Sequence, residues 1–377
     1  MKGWCGMKTA DNSEMILNIG PDNLLTHGAL RLKIKLDGEL IKEAEPVMGY
    51  LHRGLEKLAE SRTYLQYQPM VDTIDYLSGV ACQEAYCAAV EELSDIEVPE
   101  RAKYIRVMLA ELDRISSHLF RLGVYAADLG CFSPVFMTFR EREMILKIFE
   151  NICGKRMLCN FHTFGGVKQD LKDSDMDNIS EFISIFPKKV KEYQNIVTEN
   201  PIFKLRTEGL GIITKNKAFS YSLSGVGLRS SGSDLDFRKT NPYLVYDKLE
   251  FAVPTEKRGD CYSRCLVRIR EMIESLKIIK QCREYLLLNK GDYKNEDVNP
   301  LLISPEPNMT VSFVESPRGL LACTIVSDGS GKPFRVKWRT PSFYAIQILP
   351  ELLKNKYYSD IAAIVGSLDI SVSEADR

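Results

Sequence analysis

Gly20-Pro-Asp-Asn-Leu-Leu-Thr-His-Gly28 separates two apolar stretches, residues 15–19 and 29–36. The second, Ala-Leu-Arg-Leu-Lys-Ile-Lys-Leu, alternates apolar and polar side chains with period two, the pattern of a strand with one buried face. The first is short and also strand-like. Gly20-Pro21 and Asp22-Asn23 are turn formers, so the segment reads as a hairpin with His27 near its tip. Two readings of His27 stand on these residues alone. An imidazole on a loop held by two strands can be aimed into a cavity, or it can cap the turn by hydrogen bonding. A second turn, Asp37-Gly38, joins residues 32–36 to 40–44 and is a strong hairpin signal. Residues 1–46 are thus expected to form an N-terminal β element, after a loose start over residues 1–12.

Beyond Gly49 the period changes to helical. Leu51, Leu55 and Leu58 share one face, with Glu56 and Lys57 opposite. Residues 70–93 are apolar and rich in Ala and Cys, which predicts one buried helix. Pro99 suits the first turn of the next, whose stripe runs through Ile105, Met108, Leu109, Leu112, Ile115, Leu119 and Leu122. Residues 139–152, 177–198 and 261–287 repeat the pattern, and together these helices predict a central bundle over residues 47–288. Residues 199–258 are rich in Gly and Ser and read as loops. A polar connector, 289–308, leads to three strands near 310–314, 321–326 and 334–338, and then to a helix near 345–353. Residues 289–377 are therefore expected to be a C-terminal α+β region, and the whole chain an α+β protein.

Composition narrows the function. The chain has 377 residues, 45% hydrophobic and 27% charged, with a net charge of -1. That balance gives no electrostatic footprint for nucleic acid. No apolar run approaches the ~20 residues of a membrane span, and residues 1–11 lack the apolar core of a signal peptide. Any membrane role is expected to be peripheral. None of the ten cysteines forms a C-x-x-C pair, and the four histidines (His27, His52, His118 and His162) are never spaced as a zinc pair. A metal or cluster site built by this chain is therefore not expected. Gly225-Val-Gly227 lacks the third glycine and the strand–turn–helix setting of a dinucleotide site.

Longer strings carry more. Gly49-Tyr-Leu-His-Arg-Gly-Leu-Glu-Lys57, Asp75-Tyr76, Val98-Pro-Glu-Arg-Ala102, Ser117-His118, Asp128-Leu-Gly130, Phe139-Arg-Glu-Arg-Glu143, Gly165-Gly-Val167, Arg258-Gly-Asp260, Val326-Ser-Asp-Gly329 and Asp376-Arg377 occur in this order. They resemble the quinone-site subunit of respiratory complex I, called D in the bacterial and H in the chloroplast enzyme. That family is homologous to the large subunit of nickel–iron hydrogenases. The resemblance runs over residues 14–377 and implies a hydrogenase-large-subunit-like fold. The chain would be a peripheral-arm subunit of a proton-translocating NADH (or ferredoxin)–quinone oxidoreductase, inactive alone. It would sit on the cytoplasmic side of the plasma membrane, or on the matrix or stromal side of an organelle membrane. Its implied partners are a small subunit carrying the terminal iron–sulfur cluster, other peripheral-arm subunits, and a membrane-arm subunit at the quinone entrance. Quinone is the implied substrate, and this chain alone binds no cofactor.

By the same resemblance, His27 and Tyr76 face the quinone headgroup from opposite sides, Asp128 is the carboxylate linked to His27, and His52-Arg53 lies near the neighbour's cluster. The residue types suit the chemistry. Reducing a quinone to a quinol consumes two protons; an imidazole and a phenol can each bond a carbonyl and deliver one. Read without the resemblance, Tyr76 is a core tyrosine, Asp128 ends a helix, and Arg53 pairs with Glu56 or Glu60 on a helix surface. Hydrogen chemistry is not expected on cysteine grounds: a nickel–iron centre needs two C-x-x-C pairs, and Asp369-Ile-Ser-Val-Ser-Glu374 carries neither thiolate of the second. The class alternatives are a membrane-bound hydrogenase-type large subunit and a scaffold that no longer binds quinone. Three places in the chain depart from the family. Asp22-Asn23-Leu24 replaces Gln-His-Pro, Thr73 replaces an arginine, and Leu158 replaces a histidine. Two fewer cations near the cluster are expected to lower its potential and weaken its pH dependence, as suits a low-potential acceptor such as menaquinone. Redox titration of the assembled complex checks this, and a high, strongly pH-dependent potential would overturn it.

Overall fold

The computed structural model describes residues 9–10, 14–21 and 26–377. Its N-terminal sheet is antiparallel in the order β1 (Thr9–Ala10), β2 (Glu14–Ile19), β3 (Arg31–Asp37), β4 (Leu40–Val47). The alternation in β3 does what its pattern predicts. Leu32, Ile34 and Leu36 are buried, while Lys33 and Asp37 face solvent. Asp37 pairs with Leu40 across the Asp37-Gly38 turn, and Met15 pairs with Leu36. The buried face does not close on itself. It packs on α12 (Pro341–Gln347), α13 (Leu349–Leu353) and α14 (Ile361–Leu368) through Ile346, Leu349, Leu353, Ile364 and Val365. Residues 1–46 and 289–377 are separate along the chain, but in space they share one core.

The centre is a bundle of α4 (Glu100–Asp128), α5 (Ser133–Cys153), α6 (Asp173–Tyr193) and α11 (Cys261–Leu288). The α4 stripe is fully buried, Leu112, Ile115 and Leu119 among it, and each such side chain contributes about 1.5–3 kcal/mol. Its polar face is also buried. Arg106, Glu111, Arg114, His118 and Arg121 are almost without solvent. Partners on other elements reach three of them, Glu91 for Arg106, Glu271 for His118 and Arg238 for Glu111, while Arg114 pairs with Glu111 and Arg121 with Asp128 on α4 itself. Charges this deep persist only when paired and hydrogen-bonded.

The predicted single helix over 70–93 is two, α2 (Tyr64–Val71) and α3 (Gly79–Leu93), with Tyr76 in the break. Side chains compete there for backbone and neighbouring donors. Thr73 Oγ1 donates to the Met70 carbonyl (2.7 Å), Asp75 accepts from Leu77 N (3.4 Å), and Asp72 takes the amide N–H of Asn160 (2.8 Å). Pro99 sits at the N-cap of α4 in extended conformation rather than in its first turn. Small residues on α3, Ala81, Ala85 and Ala89, pack against an antiparallel sheet of β5 (Asn308–Ser316), β6 (Gly319–Ser327) and β7 (Pro333–Arg339). Residues 199–258 are not all loop. They carry the short helices α7 (Pro201–Thr207), α8 (Lys215–Ser220), α9 (Gly225–Arg229) and α10 (Phe237–Thr240). The chain ends on α15 (Val372–Asp376). Among the described residues, no helix is long and apolar enough to cross a membrane.

Candidate functional site

His27 is held by the other end of the chain. Its backbone N–H donates to Ile370 O (2.9 Å), its carbonyl accepts from Val372 N (2.8 Å), and it forms a parallel bridge with Ser371. The tip of the N-terminal hairpin is thus paired to the segment between α14 and α15. The imidazole is 4% exposed and lies edge-on to Phe120, with centroids 5.1 Å apart. Nε2 stands 2.7 Å from Asp369 Oδ1. A carboxylate there requires the neutral ring to carry its hydrogen on Nε2 and to donate it. Burial lowers the His27 pKa to about 4, against the raising pull of Asp369.

Asp369 occupies the left-handed position that ends α14, φ 57°. Burial would raise its pKa, but Arg318, His27 and Arg268 hold it well below the carboxylate range. The Arg318 guanidinium lies 3.8 Å from Asp369 Oδ1 and also bonds Asp75 Oδ2; Arg268 Nε lies 3.9 Å from Asp369 Oδ2. Ser371 Oγ donates to the other Asp75 oxygen (3.2 Å). A buried chain, His27–Asp369–Arg318–Asp75, therefore runs from the hairpin tip to the residue before Tyr76. The two carboxylates share one guanidinium. Asp369 has two further cations or donors and keeps its charge, whereas Asp75 is pushed up by burial and by Asp369.

Asp128 does not make the expected bond. It lies at the C-terminal end of α4 and turns back on its own helix to Arg121 (3.1 Å), and burial raises its pKa to about 6 against that cation. The carboxylate on His27 is Asp369, delivered by the end of α14. Arg121 pairs with Asp128, and its charge adds to the burial that lowers the His27 pKa.

Tyr76 is half-buried, and burial raises the pKa of its phenol. No hydrogen bond of its hydroxyl is found among the described residues, which sets it apart from a satisfied core tyrosine. It lines a cavity with about 20 Å³ of room for water, together with Asp113, Ser116, Arg142 and Leu158. His27 is not on that lining. Leu158, where the family has a histidine, is in left-handed conformation, φ 54°.

His52 and Arg53 are exposed in the turn before α1 (Leu55–Ala59). The C-terminus shapes this turn. The Asp376 carboxylate accepts from Gly49 N and Leu51 N (each 2.9 Å), and His52 Nδ1 lies 2.7 Å from the Asp376 carbonyl. Arg53 donates to Thr73 O (2.8 Å) and Ser373 Oγ (2.9 Å). It makes no pair with Glu56 or Glu60, which are bonded by Arg377 and Arg335 respectively. Asp22, Asn23 and Leu24 lie outside the described residues. Among the described residues, no group of three or more His, Cys, Asp or Glu is placed to hold a metal ion.

Sequence reasoning missed Asp369, Arg318, Asp75 and Arg268 as site residues. Asp75 stood inside a recognised string, and Asp369 opened the segment read for its missing cysteines, so a signal existed. Arg318 carried none: in Pro317-Arg318-Gly319, between two strands, it reads as an exposed turn residue.

Residues 128–310 and 302–377 match the family described as "Respiratory-chain NADH dehydrogenase, 49 Kd subunit". The chain is 47% identical over 363 residues to the D subunit of the NADH-quinone oxidoreductase of Geobacillus thermodenitrificans, covering 96% of this chain and 98% of that protein. It is 43% identical over 368 residues to the corresponding protein of Desulforamulus reducens, covering 98% and 100%, and 44% identical over 363 residues to that of Bacillus mycoides, covering 96% and 98%.

Proposed function

Because the chain belongs to the respiratory-chain NADH dehydrogenase 49 kDa subunit family, we propose that it forms the quinone-reduction site of an NADH–quinone oxidoreductase, with His27 and Tyr76 as the two headgroup ligands. The observation that carries this reading is the buried chain His27–Asp369–Arg318–Asp75, which ties one ligand to the neighbour of the other. With Nε2–H committed to Asp369, the Nδ1 side of the ring is left for a quinone carbonyl. The resting ring is neutral and can only accept there. Once it takes a proton it becomes a donor, and Asp369 stabilises the imidazolium. Tyr76 donates its O–H to the other carbonyl. Burial disfavours the phenolate, so its proton leaves only as charge builds on the quinone.

Electrons reach the quinone from the terminal iron–sulfur cluster of a neighbouring small subunit that docks over the exposed His52–Arg53 turn. A cation there favours the reduced cluster. Other peripheral-arm subunits and a membrane-arm subunit at the quinone entrance complete the assembly, on the cytoplasmic face of the plasma membrane or its organellar equivalent.

Tyr76→Phe in the assembled complex tests the assignment. Removing one general acid lowers quinone reduction by roughly 100-fold while the complex stays intact. An unchanged rate in an intact complex would support the scaffold reading instead.

A further inference from the structure

We propose that Asp113 reloads Tyr76 with a proton after each turnover, through a water held in the cavity that the two residues share. The inference rests on the reading above, in which Tyr76 gives its proton to the quinone.

The cavity is built for one polar guest. Its 20 Å³ or so is room for a single water. Tyr76 from the helix break, Asp113 and Ser116 from α4, Arg142 from α5, and Arg156 and Cys159 from the loop after α5 supply its polar lining; Arg156 is held by Glu143 and Glu150. Tyr76, Arg142 and Asp113 lack full partners among the described residues. The Tyr76 hydroxyl has none. Arg142 Nε is buried without one, although its guanidinium lies over the Phe120 ring at 5.3 Å and reaches Met157 Sδ at 3.9 Å. Asp113, 9% exposed, has a single long contact, from Val80 N to Oδ2 at 3.3 Å. A buried N–H left unpaired beside a water-sized space is the setting in which an ordered water is found.

The charges that act on Asp113 come from the helix break and from α5. Burial raises its pKa to about 8, and Asp75 and Asp72 from the break add to this; Arg142 from α5 opposes it. Asp113 therefore holds a proton at neutral pH. The other two carboxyls are spent elsewhere: Asp75 bonds Arg318 and Ser371, and Asp72 bonds Gln83 and Asn160.

The step balances without electrons. The Asp113 O–H gives its proton to the water, and the water gives one of its own to the Tyr76 phenolate. Asp113 is left as a carboxylate near Arg142 until solvent returns a proton. The transfer is downhill, because the phenol binds its proton more tightly than Asp113 does.

Asp113→Asn keeps the shape and removes the exchangeable proton. In the assembled complex, the first quinone reduced after mixing with NADH should proceed at the wild-type rate, since Tyr76 starts protonated. Later turnovers should slow by roughly 100-fold. The wild-type steady-state rate should fall above about pH 8, and that limb should be absent in Asp113→Asn. Asp113→Glu should restore turnover, and an infrared carboxylic-acid band present at pH 7 in the wild type should vanish in Asp113→Asn. Wild-type turnover with an unaltered pH profile in Asp113→Asn overturns the relay, as does equal slowing of the first and later turnovers, or a wild type lacking the acid band at pH 7. Tyr76→Phe separates the two proposals. If it is slow while Asp113→Asn is normal, only the relay fails; if it runs at the wild-type rate, the quinone assignment fails as well.

Discussion

Asp369→Asn isolates the bond on which the site depends. The amide can still accept the Nε2–H of His27 at the 2.7 Å now occupied by the carboxylate, so geometry survives and only the charge goes. Both side chains are almost solvent-free, at 3% and 1% exposure, so water cannot replace what is lost. A hydrogen bond to a charged group contributes about 1.5–3 kcal/mol. If quinol formation requires His27 to carry a proton, the variant loses that amount when the imidazolium forms, which is about 10- to 100-fold in rate. Arg268 also loses a counter-ion 3.9 Å away. Uncompensating a buried ion pair costs about 3–5 kcal/mol, so stability must be followed separately. The assay is quinone reduction by the assembled complex, normalised to NADH oxidation by an artificial acceptor that bypasses the quinone. Repeating it in a His27→Gln background closes a double-mutant cycle, in which the Asp369 effect should all but disappear. A cycle that shows no coupling between His27 and Asp369, or a larger coupling of His27 to Asp128, would refute the reasoning.

Two further expectations concern stability. Gly366, in α14, faces α4 so closely that an added Cβ would lie 2.7 Å from Tyr125 Cδ2 and 2.9 Å from Arg121 Nη2. Gly366→Ala should therefore cost about 1–3 kcal/mol, visible as a lower denaturation midpoint. His27 is neutral in the fold down to about pH 4 but takes up a proton near pH 6.5 when unfolded. Between those values the unfolded chain binds the extra proton, so the His27 contribution is present above pH 6.5 and lost as pH falls toward 4, by about 3 kcal/mol at most. Tm measured across that window should fall less steeply in His27→Gln than in the wild type; equal slopes would contradict it.

Local pattern carried much of the architecture. The alternation of residues 29–36, the Asp37-Gly38 turn, the α4 stripe from Ile105 to Leu122 and the three C-terminal strands each depend on neighbours a few residues away, and each was legible. Asp72, Thr73 and Asp75 were not read as a helix break, because an apolar composition on both sides concealed side chains that capture backbone groups. The partner of His27 was not legible from pattern at all. Asp369 lies 342 residues further along the chain, and nothing local to either residue encodes that distance.

What the sequence by itself determined, then, is which faces are apolar and where turns fall. These follow from covalent order and from periodicities of two and 3.6. The tertiary structure alone decided that the hairpin tip pairs with Ile370–Val372, that Arg318 joins Asp75 to Asp369, and that Asp113 and Tyr76 share a cavity. The physical reason is that a charged face reads as solvated until the fold brings another charge to cover it. For Arg106, Glu111, Glu271 and Asp369 other charges supply that covering, and the protein keeps these groups ionised away from water.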